Sequence, residues 1–138
     1  MGPKIIDGEC YKDHRGSLFY NNDFNAAVIK RIYIIENKNV DYTRAWQGHK
    51  IEQRWFSAVS GSLRIQLIQI DNWDLPSKDS IVFTFILSAG KLDILHVPRG
   101  YVSSIECIEE GSKLLVMTDY LLGEIKDEYR FDGNYFKV

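Results

Sequence analysis

The sequence predicts an all-β chain, a sandwich or barrel of short strands, and three observations predict it. β-branched and aromatic runs recur along its length. Turn residues separate them at intervals of about 8–12 residues, which gives about eight or nine strand segments. No long stretch follows the 3.6-residue period of an amphipathic helix.

The segments justify themselves in order. Residues 28–36 (VIKRIYIIE) are β-branched and aromatic with charges interleaved. Residues 54–60 and 62–71 read as two strands joined at Ser60-Gly61. In the second, Leu63, Ile65 and Leu67 share one face, while Arg64 and Gln66 share the other. Residues 81–87 (IVFTFIL) form a nearly all-apolar strand, and 91–97, 101–108 and 112–120 follow at short intervals. Gly90, Pro98-Arg99-Gly100 and Glu109-Glu110-Gly111 supply the turns. Residues 22–27, 37–41 and the polar stretch 72–79 read as loops, and 123–130 as one helical turn.

With 138 residues the chain is expected to be one domain, 1–138. A chain of that size buries roughly two-thirds of its unfolded surface, so one core suffices. Apolar residues make up 45% and charged residues 26%, as in an ordinary globular protein. The net charge of −2 offers no basic field for nucleic acid. The two cysteines, Cys10 and Cys107, read as free thiols in a reducing compartment. The first residues carry no apolar leader run, and Ile6 breaks the myristoylation pattern. No apolar run approaches the ~20 residues of a membrane span. A cytoplasmic protein without membrane or nucleic-acid partners is expected.

Two segments resemble the paired motifs of the cupins, the double-stranded jelly rolls. Gln47-Gly48-His49, Gln53 and Gly61 occupy the frame of the first motif, and Gly90, Pro98-Arg99-Gly100 and Ser103 that of the second. The longer context is more specific. The run 30–35 (KRIYII) followed by 44–50 (RAWQGHK) resembles the dTDP-4-keto-6-deoxyhexose 3,4-ketoisomerases. Asp13-His14-Arg15-Gly16 resembles the D-x-R-G of the dTDP-4-dehydrorhamnose 3,5-epimerases, where the arginine contacts the nucleotide diphosphate. Thr118-Asp119-Tyr120 and Phe131-Asp132 echo both families, so the likeness to these RmlC-like cupins spans roughly residues 13–136. It implies a cupin jelly-roll barrel and proton transfer next to the carbonyl of a nucleotide-activated (dTDP) sugar, in surface polysaccharide biosynthesis. The letters depart from the pattern at three places. Gln47 and Ser103 stand where histidines are usual, and Leu115 matches the position of a proton-donating tyrosine.

Shifting a sugar carbonyl requires a base near neutral pKa, a role that suits histidine. His49 is the one histidine at a matching position and shares a strand face with Gln47. It is the candidate base, with Tyr101 the candidate replacement proton donor. Gln47 and Ser103 are candidate hydrogen-bonding groups for the substrate. Arg15, Arg44 and Lys50 are candidates for the diphosphate, since arginine forks onto phosphate oxygens. Arg31 and Lys50, each taken alone, read as solvated strand charges. Tyr33 is a candidate stacking residue, and Trp55 reads as core. His96 reads as structural and His14 as a loop residue.

No cofactor is implied. A metal is not expected, because Gln47, His49, Gln53 and Ser103 are a poor ligand set. Glu52, next to a ligand position on the strand, is expected to face away. Three readings stay open: an isomerase or epimerase, a nucleotide-sugar-binding barrel without chemistry, and a structural scaffold. A homodimer is expected, because apolar edge strands need cover.

Overall fold

A computed structural model describes residues 2–138 and contains twelve strands and no helix among them. The strands are β1 (Lys4–Ile6), β2 (Glu9–Asp13), β3 (Gly16–Tyr20), β4 (Arg31–Ile35), β5 (Thr43–His49) and β6 (Arg54–Ser60). They continue with β7 (Ser62–Gln69), β8 (Val82–Ser88), β9 (Ile94–Val97), β10 (Tyr101–Cys107), β11 (Lys113–Thr118) and β12 (Tyr129–Arg130). Two five-stranded antiparallel sheets, ordered β1-β9-β6-β11-β4 and β12-β5-β10-β7-β8, face one another, and β2-β3 is a separate hairpin.

The alternation read in β7 is the alternation observed: Leu63, Ile65 and Leu67 are fully buried between the sheets, and Arg64 points to solvent. Phe56, Leu95, Val97, Ile105, Leu114 and Val116 meet them there. The outer faces are covered as well. Trp46, Ile68, Val102 and Phe136 pack outside the second sheet, where the C-terminal segment folds back. Trp55, Ile94 and Met117 pack outside the first, beneath Phe24 and Ile29. The first five residues of β6 are therefore buried without a break. Strands covered on both faces lose their period-two signal.

Several boundaries move, each for a local reason. The strand expected from residue 28 begins at Arg31, because the Ile29 amide closes a turn onto the Ala26 carbonyl and delivers Ile29 to the Trp55 cluster. The strand expected from 91 begins at Ile94, after a turn in which the Asp93 amide reaches the Lys91 carbonyl. The helical turn expected at 123–130 is absent. That segment is held open by Asp127, which accepts amides from another loop, and by pairing of β12 with β5. β1, β2 and β3 precede every strand read from the sequence.

Two glycines fix the register that matters below. Gly61, at φ +67°, makes the β6–β7 hairpin in a conformation that disfavours a side chain. Gly48 lets β5 lie against β10: a Cβ there would collide with the Tyr101 carbonyl oxygen. The pairing sets His49 opposite Tyr101 and Gln47 opposite Ser103.

Candidate active site

Between the sheets at one end of the barrel lies a narrow inner pocket of about 40 Å³. It shares Tyr33, Gln47, His49 and Arg54 with an open cavity of about 510 Å³ beneath residues 121–129. The inner pocket is too small for a sugar ring, and the outer one is large enough.

β5 and β10 supply most of the expected residues. Gln47 and His49, two apart on β5, both face inward, and Tyr101 and Ser103 face them from β10. Arg44 also lines the inner pocket, although strict alternation would put it on the face opposite Gln47. The register slips between Ser103 and Ile105, which pair with Gln47 and Arg44, and this β-bulge turns Arg44 inward. Tyr33 reaches the pocket from β4. Six of the eight expected site residues thus line one cavity system: Tyr33, Arg44, Gln47, His49, Tyr101 and Ser103.

The other two stand apart from it. Lys50 is exposed, and it is its backbone amide, not its ammonium group, that is held, by Asp127. Arg15 sits at the tip of the β2-β3 hairpin, with its guanidinium folded onto Asp13 at 2.7 Å. That pairing holds the Asp13 carboxyl below its ordinary pKa. Leu115 belongs to the cluster outside the first sheet, so the position matched to a tyrosine does not face the cavity, and Val116 is the inward residue there.

Arg54, at the start of β6, was not among the expected site residues, and it organises the centre. One Nη donates to the Tyr33 hydroxyl and the other lies 2.6 Å from Nε2 of His49. A guanidinium has no acceptor, so Nε2 must accept and the imidazole proton resides on Nδ1. His49 is 8% exposed. Burial first, then the charges of Arg54 and Arg31, lower its pKa to about 3, with Asp127 opposing. At neutral pH it is an uncharged base whose inward lone pair is engaged by Arg54.

Glu52 is the clearest departure from expectation. Residues 50–53 lie between β5 and β6, with a bend at 50–51, so strand alternation does not apply. Asp127, itself buried, accepts the amides of Lys50, Ile51 and Glu52 at 3.0, 2.8 and 2.8 Å. The bend turns the Glu52 carboxyl into the cavity, 3.5 Å from Arg54 and 3.9 Å from His49. Burial raises its pKa, and Arg54 opposes the rise. Arg31 lines the same cavity, 4.7 Å over the Tyr33 ring, rather than lying in solvent. A sequence signal for Arg54 existed, since a charge opening a buried strand demands buried partners. Asp127 and Glu52 had none.

The fourth cupin ligand position is turned elsewhere. The Gln53 amide donates to Asp119 at 3.2 Å and accepts from His96 at 2.7 Å, outside the cavity. His96 stacks on Trp55, as a structural histidine does, and burial lowers its pKa. Among the described residues no three His, Cys, Asp or Glu side chains gather as metal ligands. The side chains at the cupin positions do not fit a metal.

No family model matches the chain and no curated protein matches its sequence. Solved structures do. The 3,4-ketoisomerase QdtA from Thermoanaerobacterium thermosaccharolyticum, as a histidine-to-asparagine variant with TDP-4-keto-6-deoxyglucose, superimposes with a TM-score of 0.73 at 22% identity. The match covers 97% of this chain and 91% of that one. The chain has the cupin jelly-roll fold of that enzyme. A 3,4-ketoisomerase from Helicobacter canadensis matches at 25% identity and TM-score 0.69, over 90% of this chain and 87% of its own. The dTDP-4-dehydrorhamnose 3,5-epimerase of Bacillus anthracis, with TDP and pyrophosphate bound, matches at 14% identity and TM-score 0.73, over 96% and 79%. The resemblance to RmlC-like cupins read from the motifs is therefore a resemblance of whole folds. No helix among the described residues is long and apolar enough to cross a membrane.

Proposed function

We propose that this chain is an isomerase or epimerase of a nucleotide-activated 4-keto-6-deoxyhexose, a dTDP-sugar, in surface polysaccharide biosynthesis. The observation that carries the reading is the neutral imidazole of His49, buried at the foot of an open cavity with a guanidinium beside it. A proton next to a carbonyl is removed by a base in its unprotonated form, and the enediolate oxygen that forms needs a cation. His49 takes the proton from carbon. Arg54 leaves the His49 lone pair for the carbonyl oxygen as negative charge builds there, which frees Nε2 and raises the low basicity that Arg54 helps impose on the imidazole. Structural neighbours whose ligands are TDP and TDP-4-keto-6-deoxyglucose support the substrate class.

Arg44 and Arg31 bind the diphosphate in this reading, Gln47 and Ser103 bond to sugar oxygens, and Tyr33 lends its ring and hydroxyl. Tyr101 is the proton donor in the epimerase form of this reading, and burial, which raises its pKa, keeps it protonated. The protein acts in the cytoplasm as a homodimer. Arg15 lines neither cavity of its own chain, and its hairpin exposes Tyr11, Leu18 and Phe19. Both features suit a hairpin that lies on a second copy and lends Arg15 to that copy's site. Lys50 serves as a peripheral charge for the incoming anion.

The test is proton NMR with dTDP-4-keto-6-deoxyglucose in deuterated water, wild type beside His49→Ala. Deuterium at ring carbon 3 or 5, or a 3-keto product, that disappears in the variant is the expected result. The second reading is a barrel that binds the nucleotide sugar without chemistry, favoured by Gln47 and Ser103 and by the bond from Arg54 onto the His49 lone pair. Ligand signals that broaden in the wild type with no exchange would mean that the pocket binds and that the chemistry is gone or meant for another sugar.

A further inference from the structure

Three acidic side chains line the open cavity: Glu52, Asp127 and Glu128. Two are committed. Asp127 holds three backbone amides, and Glu128 accepts from Gln47 at 2.8 Å and from Arg130 at 3.1 Å. Glu52 is different. Nine-tenths of its side chain is buried, yet among the described residues its carboxyl makes only the 3.5 Å contact with Arg54 and the 3.9 Å approach to His49. A buried carboxyl with so few partners is costly unless something else meets it. It faces the same space as the candidate base, and its backbone is fixed there by Asp127.

We propose that Glu52 is a catalytic residue that carries the proton between the two sugar oxygens while His49 moves the proton between the two carbons. The inference rests on the isomerase reading above. Moving a carbonyl from carbon 4 to carbon 3 relocates two hydrogens, one from carbon 3 to carbon 4 and one from the carbon-3 hydroxyl to the carbon-4 oxygen. His49 takes the hydrogen from carbon 3. That electron pair forms the carbon 3–carbon 4 double bond, and the carbonyl pair moves to the carbon-4 oxygen, which takes the Glu52 proton. The second Glu52 oxygen then takes the proton of the carbon-3 hydroxyl. The freed pair makes the new carbonyl, and the double-bond pair collects the proton from His49 at carbon 4. Glu52 and His49 end as they began, and no co-reactant is consumed. A carboxyl suits this exchange because one oxygen gives while the other receives, and burial shifts it toward its neutral form.

The experiment follows product and exchange together. Wild type, Glu52→Gln and His49→Ala are each given dTDP-4-keto-6-deoxyglucose in deuterated water. The readout is the ratio of 3-keto product to deuterium at carbon 3 of recovered substrate. Glutamine keeps the shape and hydrogen bonds but cannot pass a proton. The ratio is expected to fall about a hundredfold or more in Glu52→Gln, the contribution of a lost acid–base group, and to recover in part in Glu52→Asp. A folded Glu52→Gln protein with an unchanged ratio overturns the assignment, as does a parallel loss of both signals. Should Glu52→Gln fail to fold, Glu52→Ala takes its place, and an unchanged ratio there overturns the assignment too. A wild type that exchanges only at carbon 5 removes the need for the oxygen shuttle and leaves the epimerase reading intact. An inert wild type brings down the functional reading and this assignment together.

Discussion

Replacing Arg54 by methionine, which keeps the length of the side chain and removes its charge, is expected to raise the pKa of His49. The contact is direct, 2.6 Å between Nη2 and Nε2. Two unit charges about 4 Å apart interact by about 4 kcal/mol at an effective dielectric constant of about 20, equivalent to about 3 pKa units. That is a ceiling, because the charge of Arg54 is delocalised over its guanidinium. Burial is the largest cause of the depression of His49 and stays in the variant, and the weaker push of Arg31 stays as well. His49 should titrate above its wild-type value of about 3 and remain below the free value of 6.5, because burial stays. The assay is an NMR titration of the imidazole Cε1–H, with the resonance assigned by its absence in His49→Ala. A His49 that still titrates near 3 in folded Arg54→Met would show that the guanidinium does not engage the ring. A wild-type value near 6.5 would refute the buried, Arg-bonded site altogether.

The same histidine sets a pH dependence of stability. Its folded pKa lies below its unfolded one, so between about pH 6.5 and 3 the unfolded chain binds more protons, and stability falls as pH falls, by up to about 1.4 kcal/mol per unit. Glu52, raised in the fold, contributes with the opposite sign, so His49→Gln should flatten the acid side of a plot of urea midpoint against pH, and parallel plots would contradict the assignment. Asp127→Ala leaves three amides without their acceptor and should cost about 2–4 kcal/mol. Faster hydrogen exchange at residues 50–52 is the accompanying readout, and unchanged protection there would show that Asp127 does not hold the bend. Gly48→Ala forces a Cβ against backbone and should destabilise by about 3 kcal/mol or more in urea unfolding, whereas a neutral result would mean that β5 and β10 are not so closely paired.

How much was legible varies with the range of the interactions. The all-β class and most of the central strands follow from local pattern: alternation in β7, the apolar run of β8, the glycine at the β6–β7 turn. His49 and Gln47 could be placed on one face because a strand alternates, and Ser103 and Tyr101 because a second motif runs beside the first. These are short-range rules, and a sequence carries them openly. The hairpin of β2 and β3 escaped, since its residues are mostly exposed and its few apolar side chains do not alternate with polar ones over the length of either strand.

The chemistry of the centre depends on contacts that no local pattern announces. Nothing nearby in the chain says that Asp127 will cap the amides of residues 50–52, more than seventy positions away, and it is this cap that turns Glu52 inward. The bulge that brings Arg44 round depends on how β5 meets β10. The neutrality of His49 belongs to neither the residue nor its strand. It comes from burial between two sheets and from a guanidinium delivered by β6. The barrel, and the strands that would carry a base, were thus written in the order of the residues. The charge state of that base, and the acid set beside it, arise from desolvation and Coulomb forces between groups that only the closed barrel brings together.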